Sequence, residues 1–342
     1  MGQGSEGENT VRQSIRRFLG IGILTVAALL VSFAAAPEPG FAGTLSTAVI
    51  GMFPRNVGEF AYADLKSARK LTWFPQLREQ ILPSRFRDFE KFMSSAGADP
   101  NTQVDELAWG GITAANGSGE DVVGVALGEF DPSSAEAHFK QQKLPTFDVH
   151  GYHLYAFGGG SGGGDILFTF IDSNTAAFGN RSALEKLIDV RTGVSESLLT
   201  NGKLFPLITE ANGNGLIWAV LDQKYTHLAV QQLLPQASQF PQAAVIVDRL
   251  QAMTINVDAD SGVDAHFQAV CQSTDDANLL GAALQAGLMY RRYQEAQGDP
   301  ALASALDQVR VTPAGDRLKI DAPVSQDQLL SLIRTGAFAT PM

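Results

Sequence analysis

The segment Val104–Phe130, with the sequence VDELAWGGITAANGSGEDVVGVALGEF, contains two apolar stretches separated by a short polar one. Asn116-Gly117-Ser118-Gly119 has the composition of a tight turn, and the β-branched residues around it favour strands. Asp131 and Pro132 follow at once, which is the pattern of a capping residue and a first helical residue. The segment therefore predicts an antiparallel hairpin followed by a helix that packs on it through Phe139.

The same order of elements recurs later in the chain. It consists of the strand Met253–Val257, the turn Asp258–Gly262, the strand Val263–Cys271, and a helix that begins at Ser273 or Thr274. Each copy then continues with a strand, a turn, a strand and a helix. These are Ile166–Ile171, Asp172–Asn174, Thr175–Phe178 and a helix from Asn180 in the first copy, and Val309–Thr312, Pro313–Asp316, Arg317–Asp321 and a helix from Ser325 in the second. The shared order predicts an internal duplication, although such units also arise independently in α+β proteins.

The predicted fold class is therefore α+β, with two related halves of antiparallel hairpins packed with helices, behind an N-terminal signal or anchor. The predicted divisions are 1–42, a signal peptide or membrane anchor; 43–103, an N-terminal strand and helical segment; 104–192, the first α+β half; 193–246, a connecting strand and helices; and 247–336, the second α+β half.

Two helices are defined by their apolar periodicity. Arg85–Met93 places Phe86, Phe89, Phe92 and Met93 at three- and four-residue spacing, which predicts a helix with one core-facing stripe. A longer helix, from Asp276 to about Gln297, is predicted to pack through one face. That face consists of Leu280, Ala283, Leu284, Gly287 and Leu288.

The element order, together with the phrase Phe178-Gly179-Asn180-Arg181-Ser182-Ala183-Leu184, resembles exported bacterial proteins of unknown function. These proteins are built from duplicated strand-strand-helix halves behind a signal or anchor. The resemblance covers about Glu59 to Ile333. It implies the same α+β architecture and a location outside the cytoplasm, and it brings no catalytic residue with it.

The N-terminal region predicts export from the cytoplasm. Leu19–Ala36 is an unbroken apolar run preceded by Arg12, Arg16 and Arg17, which is the layout of a secretory signal. Cleavage near Ala42 is favoured, and a single retained anchor with its positive end inside is the alternative. The mature chain is thus expected to be periplasmic, extracellular, or membrane-anchored and facing outside the cytoplasm.

The amino-acid composition of the chain argues against some classes of binding partner. The 45% hydrophobic and 18% charged residues are typical of a globular protein, and the formal net charge of −11 argues against nucleic acid as a partner. The single cysteine, Cys271, cannot form an internal disulfide. It alternates in phase with Val263, Ala265, Phe267 and Ala269, which predicts a small buried side chain rather than a nucleophile.

Three motifs are explained better by structure than by chemistry. Gly158–Gly164 satisfies glycine-rich phosphate and nucleophile patterns, but a strand follows it where those sites need a helix, so a hairpin tip is predicted. Asp148, His150 and His153 surround a strand, where Asp148 and His150 could share a face while His153 points away. Asp258-x-Asp260-x-Gly262 resembles the start of a calcium-binding loop but lacks the ligands that such a loop has at its later positions, so a turn is predicted.

No catalytic, cofactor-binding or metal-binding residue is therefore assigned from the sequence, and no cofactor is expected. The first functional hypothesis is an exported, non-enzymatic binding or interaction protein of the cell envelope, with an unknown envelope partner or ligand. The alternative is an envelope hydrolase or small-ligand carrier with a site between the two halves, because apolar pockets often form between packed halves.

Overall fold

The computed structural model describes residues 43–82, 84–114, 120–158, 165–233, 247–259, 262–295, 303–304 and 306–334. The first part of the chain contains α1 Thr47–Ile50, β1 Val57–Asp64, α2 Leu65–Ala68, α3 Phe74–Ile81, α4 Ser84–Ser95, α5 Pro100–Gln103, β2 Val104–Thr113, β3 Glu120–Gly128, α6 Pro132–Gln141, β4 Thr146–Val149, β5 Tyr152–Phe157, β6 Ile166–Phe170, β7 Thr175–Gly179 and α7 Arg181–Arg191. A short 3₁₀ helix, Leu198–Thr200, and then α8 Leu204–Ala211, β8 Ile217–Asp222, α9 Gln223–Leu233, β9 Leu250–Asp258, β10 Gly262–Cys271, α10 Thr274–Glu295, β11 Arg310–Ala314, β12 Arg317–Ser325 and α11 Gln326–Arg334 follow.

The fold is α+β, as predicted, and the described chain divides into two compact units. The first unit comprises residues 45–66 and 82–205, and the second comprises 43–44, 67–81 and 206–334. In the first unit the strands are hydrogen-bonded in the order β1-β2-β3-β7-β6-β5-β4, and every pair is antiparallel. In the second the order is β8-β9-β10-β12-β11, also antiparallel. The four predicted strand pairs are present as β2–β3, β6–β7, β9–β10 and β11–β12, and a helix follows each of them.

An aromatic core holds the first unit together. All five residues of β6 are buried. Successive side chains of a strand point to opposite faces, so both faces of the sheet are covered at this strand. On one face, Phe89 of α4 and Phe139 of α6 pack on Phe168, with ring centroids 5.3 and 5.1 Å apart. The phenylalanine stripe predicted for Arg85–Met93 therefore does face the core, where Phe89 and Met93 are buried.

The core of the second unit lies between α10 and its sheet. Along β10, Val263, Ala265, Phe267, Ala269 and Cys271 are buried, so the predicted phase of the cysteine is correct. Helix α10 packs through Ala277, with Leu280, Leu284 and Leu288 partly buried against the same cluster. Ala283 and Gly287, which the sequence placed on this packed face, are exposed instead. They are turned too far around the helix to reach the sheet.

The two units share part of their strand order, because β2-β3-β7-β6 and β9-β10-β12-β11 follow the same sequence of pairings. The duplication itself stays a prediction. The proposed signal or anchor at 1–42, the turn at 116–119, Gly159–Gly164 and 260–261 lie outside the described residues. None of the helices in the described ranges combines the length and the apolar character needed to cross a membrane.

Candidate interaction surface

Three histidines each face one carboxylate. His153 pairs with Asp148 across β4 and β5, His150 Nε2 lies 3.0 Å from Asp189 Oδ1, and His266 Nδ1 lies 2.7 Å from Asp321 Oδ1. Each of these histidine side chains is about half exposed. The groups thus pair two by two at the surface instead of meeting around one reaction centre.

This arrangement corrects the pairing expected for Asp148, His150 and His153. The sequence placed Asp148 and His150 together and turned His153 away, as on one continuous strand. The chain instead reverses at His150 and Gly151, both of which have positive φ values (47° and 86°). The reversal brings His153 opposite Asp148 and leaves His150 in the turn, where it reaches Asp189 of α7.

The described residues contain no group of three or more histidine, cysteine or acidic side chains placed to hold a metal ion. Cys271 is buried, and burial together with the nearby carboxylates of Asp276 and Asp316 raises the pKa of its thiol. A raised pKa reduces the thiolate fraction at neutral pH, so this cysteine is a poor nucleophile.

A polar groove of about 500 Å³ lies in the first unit. It is lined by Pro54, Arg55, Asn56, Lys186, Ser195 and Glu196. Arg55 already pairs with Glu196 across it, and both side chains are more than half exposed. Such an open, hydrated ion pair contributes little energy. Arg55 and Glu196 thus offset one another, and Lys186 is the remaining charged residue among those that line the groove.

The most distinctive surface is on α10. The α10 stripe consists of Leu279, Ala282, Ala283, Ala286, Met289, Tyr290 and Tyr293. These residues recur at three- and four-residue spacing, so they share one face of the helix. All seven are exposed, with exposed fractions of 52% for Leu279, 72% for Met289, 63% for Tyr290 and 80% for Tyr293. The stripe contains no charged residue, and a contiguous apolar surface of this kind is typical of a contact site.

The opposite face of α10 fixes the stripe in place. Gly281 lies where the helix passes over β11, and a β-carbon there would be 2.9 Å from Pro313 Cγ and 3.1 Å from Leu318 Cδ1. At the start of the helix, Ser273 Oγ accepts a hydrogen bond from the Asp276 amide at 3.2 Å and donates one to its carboxylate at 2.7 Å. Arg249 also pairs with Asp276. The stripe is therefore carried on a helix that is anchored on its other side.

Sequence reasoning missed this surface because α10 is apolar on two faces. A periodicity argument expects one apolar face and assigns it to the core. Here the apolar residues exceed what one face can hold. That excess, in a helix with the small residues Ala282, Ala283 and Ala286 in its middle, was the available signal.

No protein-family model matches the chain, and no curated protein matches it either. The chain is similar to TP0453. Crystal form III of TP0453 superimposes with a TM-score of 0.48 at 12% identity, covering 84% of this chain and 97% of that chain. Crystal form IV gives a TM-score of 0.47 at 12% identity, covering 83% and 95%. The resemblance to exported bacterial proteins stays a prediction, and no functional residue is transferred from TP0453 to this chain.

Proposed function

We propose that this protein is an exported, non-catalytic interaction protein of the cell envelope, and that the α10 stripe is its contact surface. The observation that carries the proposal is the exposure of seven uncharged residues along one face of an anchored helix. Aromatic residues and methionine are enriched where proteins bind one another, and the stripe ends in Met289, Tyr290 and Tyr293.

Two further features support a binding role over a catalytic one. The histidines and carboxylates described above form separate surface pairs, whereas catalysis needs a nucleophile, a base and a stabilising group within reach of one atom. The polar groove is open, and Arg55 in it already pairs with Glu196. These features support a small-ligand carrier less well than an interaction protein. The location outside the cytoplasm rests on Leu19–Ala36 and the basic residues before it.

The proposal is tested by capture from envelope extracts with the native protein as bait, followed by identification of the bound material. Met289→Glu combined with Tyr293→Glu should abolish capture, because two charges in an apolar contact must be desolvated without partners. Val194→Glu is the matched control, since Val194 is 64% exposed in the first unit and lies outside the stripe. Equal capture by both variants would contradict the proposal. N-terminal sequencing of the same native protein decides between a start near Gly43 and a retained anchor.

A further inference from the structure

The sizes of the side chains along the α10 stripe follow an order that suits a second copy of the same surface. Leu279 lies at one end, the alanines 282, 283 and 286 occupy the middle, and Met289, Tyr290 and Tyr293 lie at the other end. Large side chains thus occupy one half of the stripe, and most of the side chains in the other half are small. A two-fold interface requires a surface to be complementary to itself, and an antiparallel pairing of such a stripe satisfies that requirement.

We propose that two copies of this protein associate through their α10 stripes, with the helices antiparallel and the two-fold axis at Ala286. This inference rests on the proposed function and identifies the partner. The pairing places Leu279 against Tyr293 of the partner subunit, Ala282 against Met289 of the partner subunit, and Ala283 against Tyr290 of the partner subunit. Each large side chain then lies over an alanine or over the single leucine, and Ala286 meets its own copy.

The opposite orientation is unfavourable for reasons of both shape and helix dipole. In a parallel pair, tyrosine would meet tyrosine while alanine met alanine, which leaves clashes at one end and voids at the other. The charged side chains near the ends of α10 do not decide the orientation. Asp276 is buried on the opposite face, and Arg291 and Arg292 lie about 120–140° around the helix from Ala286. An antiparallel pair opposes the two helix dipoles, which favours this orientation.

Charged side chains add little affinity to this contact. Asp276 already pairs with Arg249, and Arg292 Nε lies 2.7 Å from Asp307 Oδ1. The apolar contact must supply most of the binding. Tyr293 lies fourteen positions after Leu279, which corresponds to about 21 Å of helix at 1.5 Å per residue. One helix pair of that length belongs to the smaller class of interfaces, so a reversible dimer is expected rather than a permanent one.

Sedimentation velocity of the native protein over a wide range of concentrations tests the association. The parent should convert from monomer to dimer as concentration rises. Ala286→Arg should weaken dimerisation at least tenfold, because two arginines would face each other at the axis. Arginine is a good helix former and position 286 is exposed, so the circular dichroism of the variant should match the parent. Val194→Arg should dimerise like the parent.

Orientation is tested by disulfide trapping. When Leu279→Cys and Tyr293→Cys variants are mixed and oxidised, the antiparallel pair predicts a crosslink between positions 279 and 293. A parallel pair predicts only 279–279 and 293–293 crosslinks, which would overturn the orientation. Val194→Cys reports crosslinking by random collision, and Cys271 contributes little background because it is buried.

Three results would overturn the inference, and they affect the proposed function differently. A parent that stays monomeric at every concentration removes self-association, but the proposed function stands if the glutamate variant still loses capture of another protein. A dimer that Ala286→Arg does not weaken uses another surface. Co-sedimentation of a monomeric parent with phosphatidylglycerol vesicles, lost in the Met289→Glu, Tyr293→Glu variant, would assign the stripe to a lipid surface instead of a second copy.

Discussion

Replacing Gly281 by alanine should destabilise the protein, although alanine is the better helix former. The replacement of Gly287, in the same helix, should have the opposite effect. A β-carbon at Gly281 would lie 2.9 Å from Pro313 Cγ, whereas at Gly287 no atom of the described residues outside the helix itself lies within 4 Å. The two variants therefore make the same chemical change in two different environments.

The expected magnitudes follow from these distances. In an exposed helix interior, alanine in place of glycine stabilises by about 1 kcal/mol, and Gly287→Ala should gain about that amount. At Gly281 the same gain is opposed by overpacking, which typically costs about 1–3 kcal/mol. The propensity contribution cancels between the two variants, so their unfolding free energies should differ by about 1–3 kcal/mol. Gly281→Ala should be the less stable of the two, because the ring of Pro313 cannot rotate away.

Urea denaturation followed by circular dichroism measures this difference, at a protein concentration where the chain is monomeric. The urea dependence of the unfolding free energy should be the same in both variants, so that the midpoints can be compared directly. Equal stabilisation by the two substitutions would refute the close packing of α10 on β11, and with it the argument that the stripe is held facing away from the core.

Two further outcomes are expected. Phe89→Ala should lower the unfolding free energy by about 3–5 kcal/mol, because the ring of Phe89 packs on Phe157 and Phe168. Lys91→Ala, on the exposed side of α4, should change the unfolding free energy by less than about 0.5 kcal/mol. Equal urea midpoints for the two variants would contradict the assignment of Phe89 to the core. Cys271 should react with iodoacetamide slowly in the native protein and rapidly in urea, because burial both shields the thiol and raises its pKa; fast native alkylation would show that β10 opens.

Local patterns predicted the elements of this fold well. The hairpin β2–β3 was visible because apolar stretches flank a polar turn, and α4 because four apolar residues recur at helical spacing. Such signals depend only on residues that are near one another in the chain. The order β3-β7-β6 involves pairings between distant strands, and the alternation of residues along a strand does not specify which strand lies beside it.

The site was harder to predict, for two physical reasons. His150 contacts Asp189, 39 residues away, and only the packing of α7 near the β4–β5 turn brings them together. The positive φ of a non-glycine residue at that turn is rare enough that sequence reasoning continued the strand through it. In α10, the sequence showed an excess of apolar residues but not which of them the sheet would cover.

The residues that form the stripe do not belong to the core of the second unit. The cluster around Ala277, Val311 and Leu318 is reached by the other face of α10, and a polar residue at position 289 or 293 would leave that cluster unchanged. Met289 and Tyr293 are 72% and 80% exposed, so they contribute little to folding. Their exposed apolar surface increases the tendency of the protein to associate. Folding alone gives no reason for a long apolar surface on the solvent side of an anchored helix. Binding does, and the inverted order of small and large side chains about Ala286 makes a second copy the partner that fits this surface.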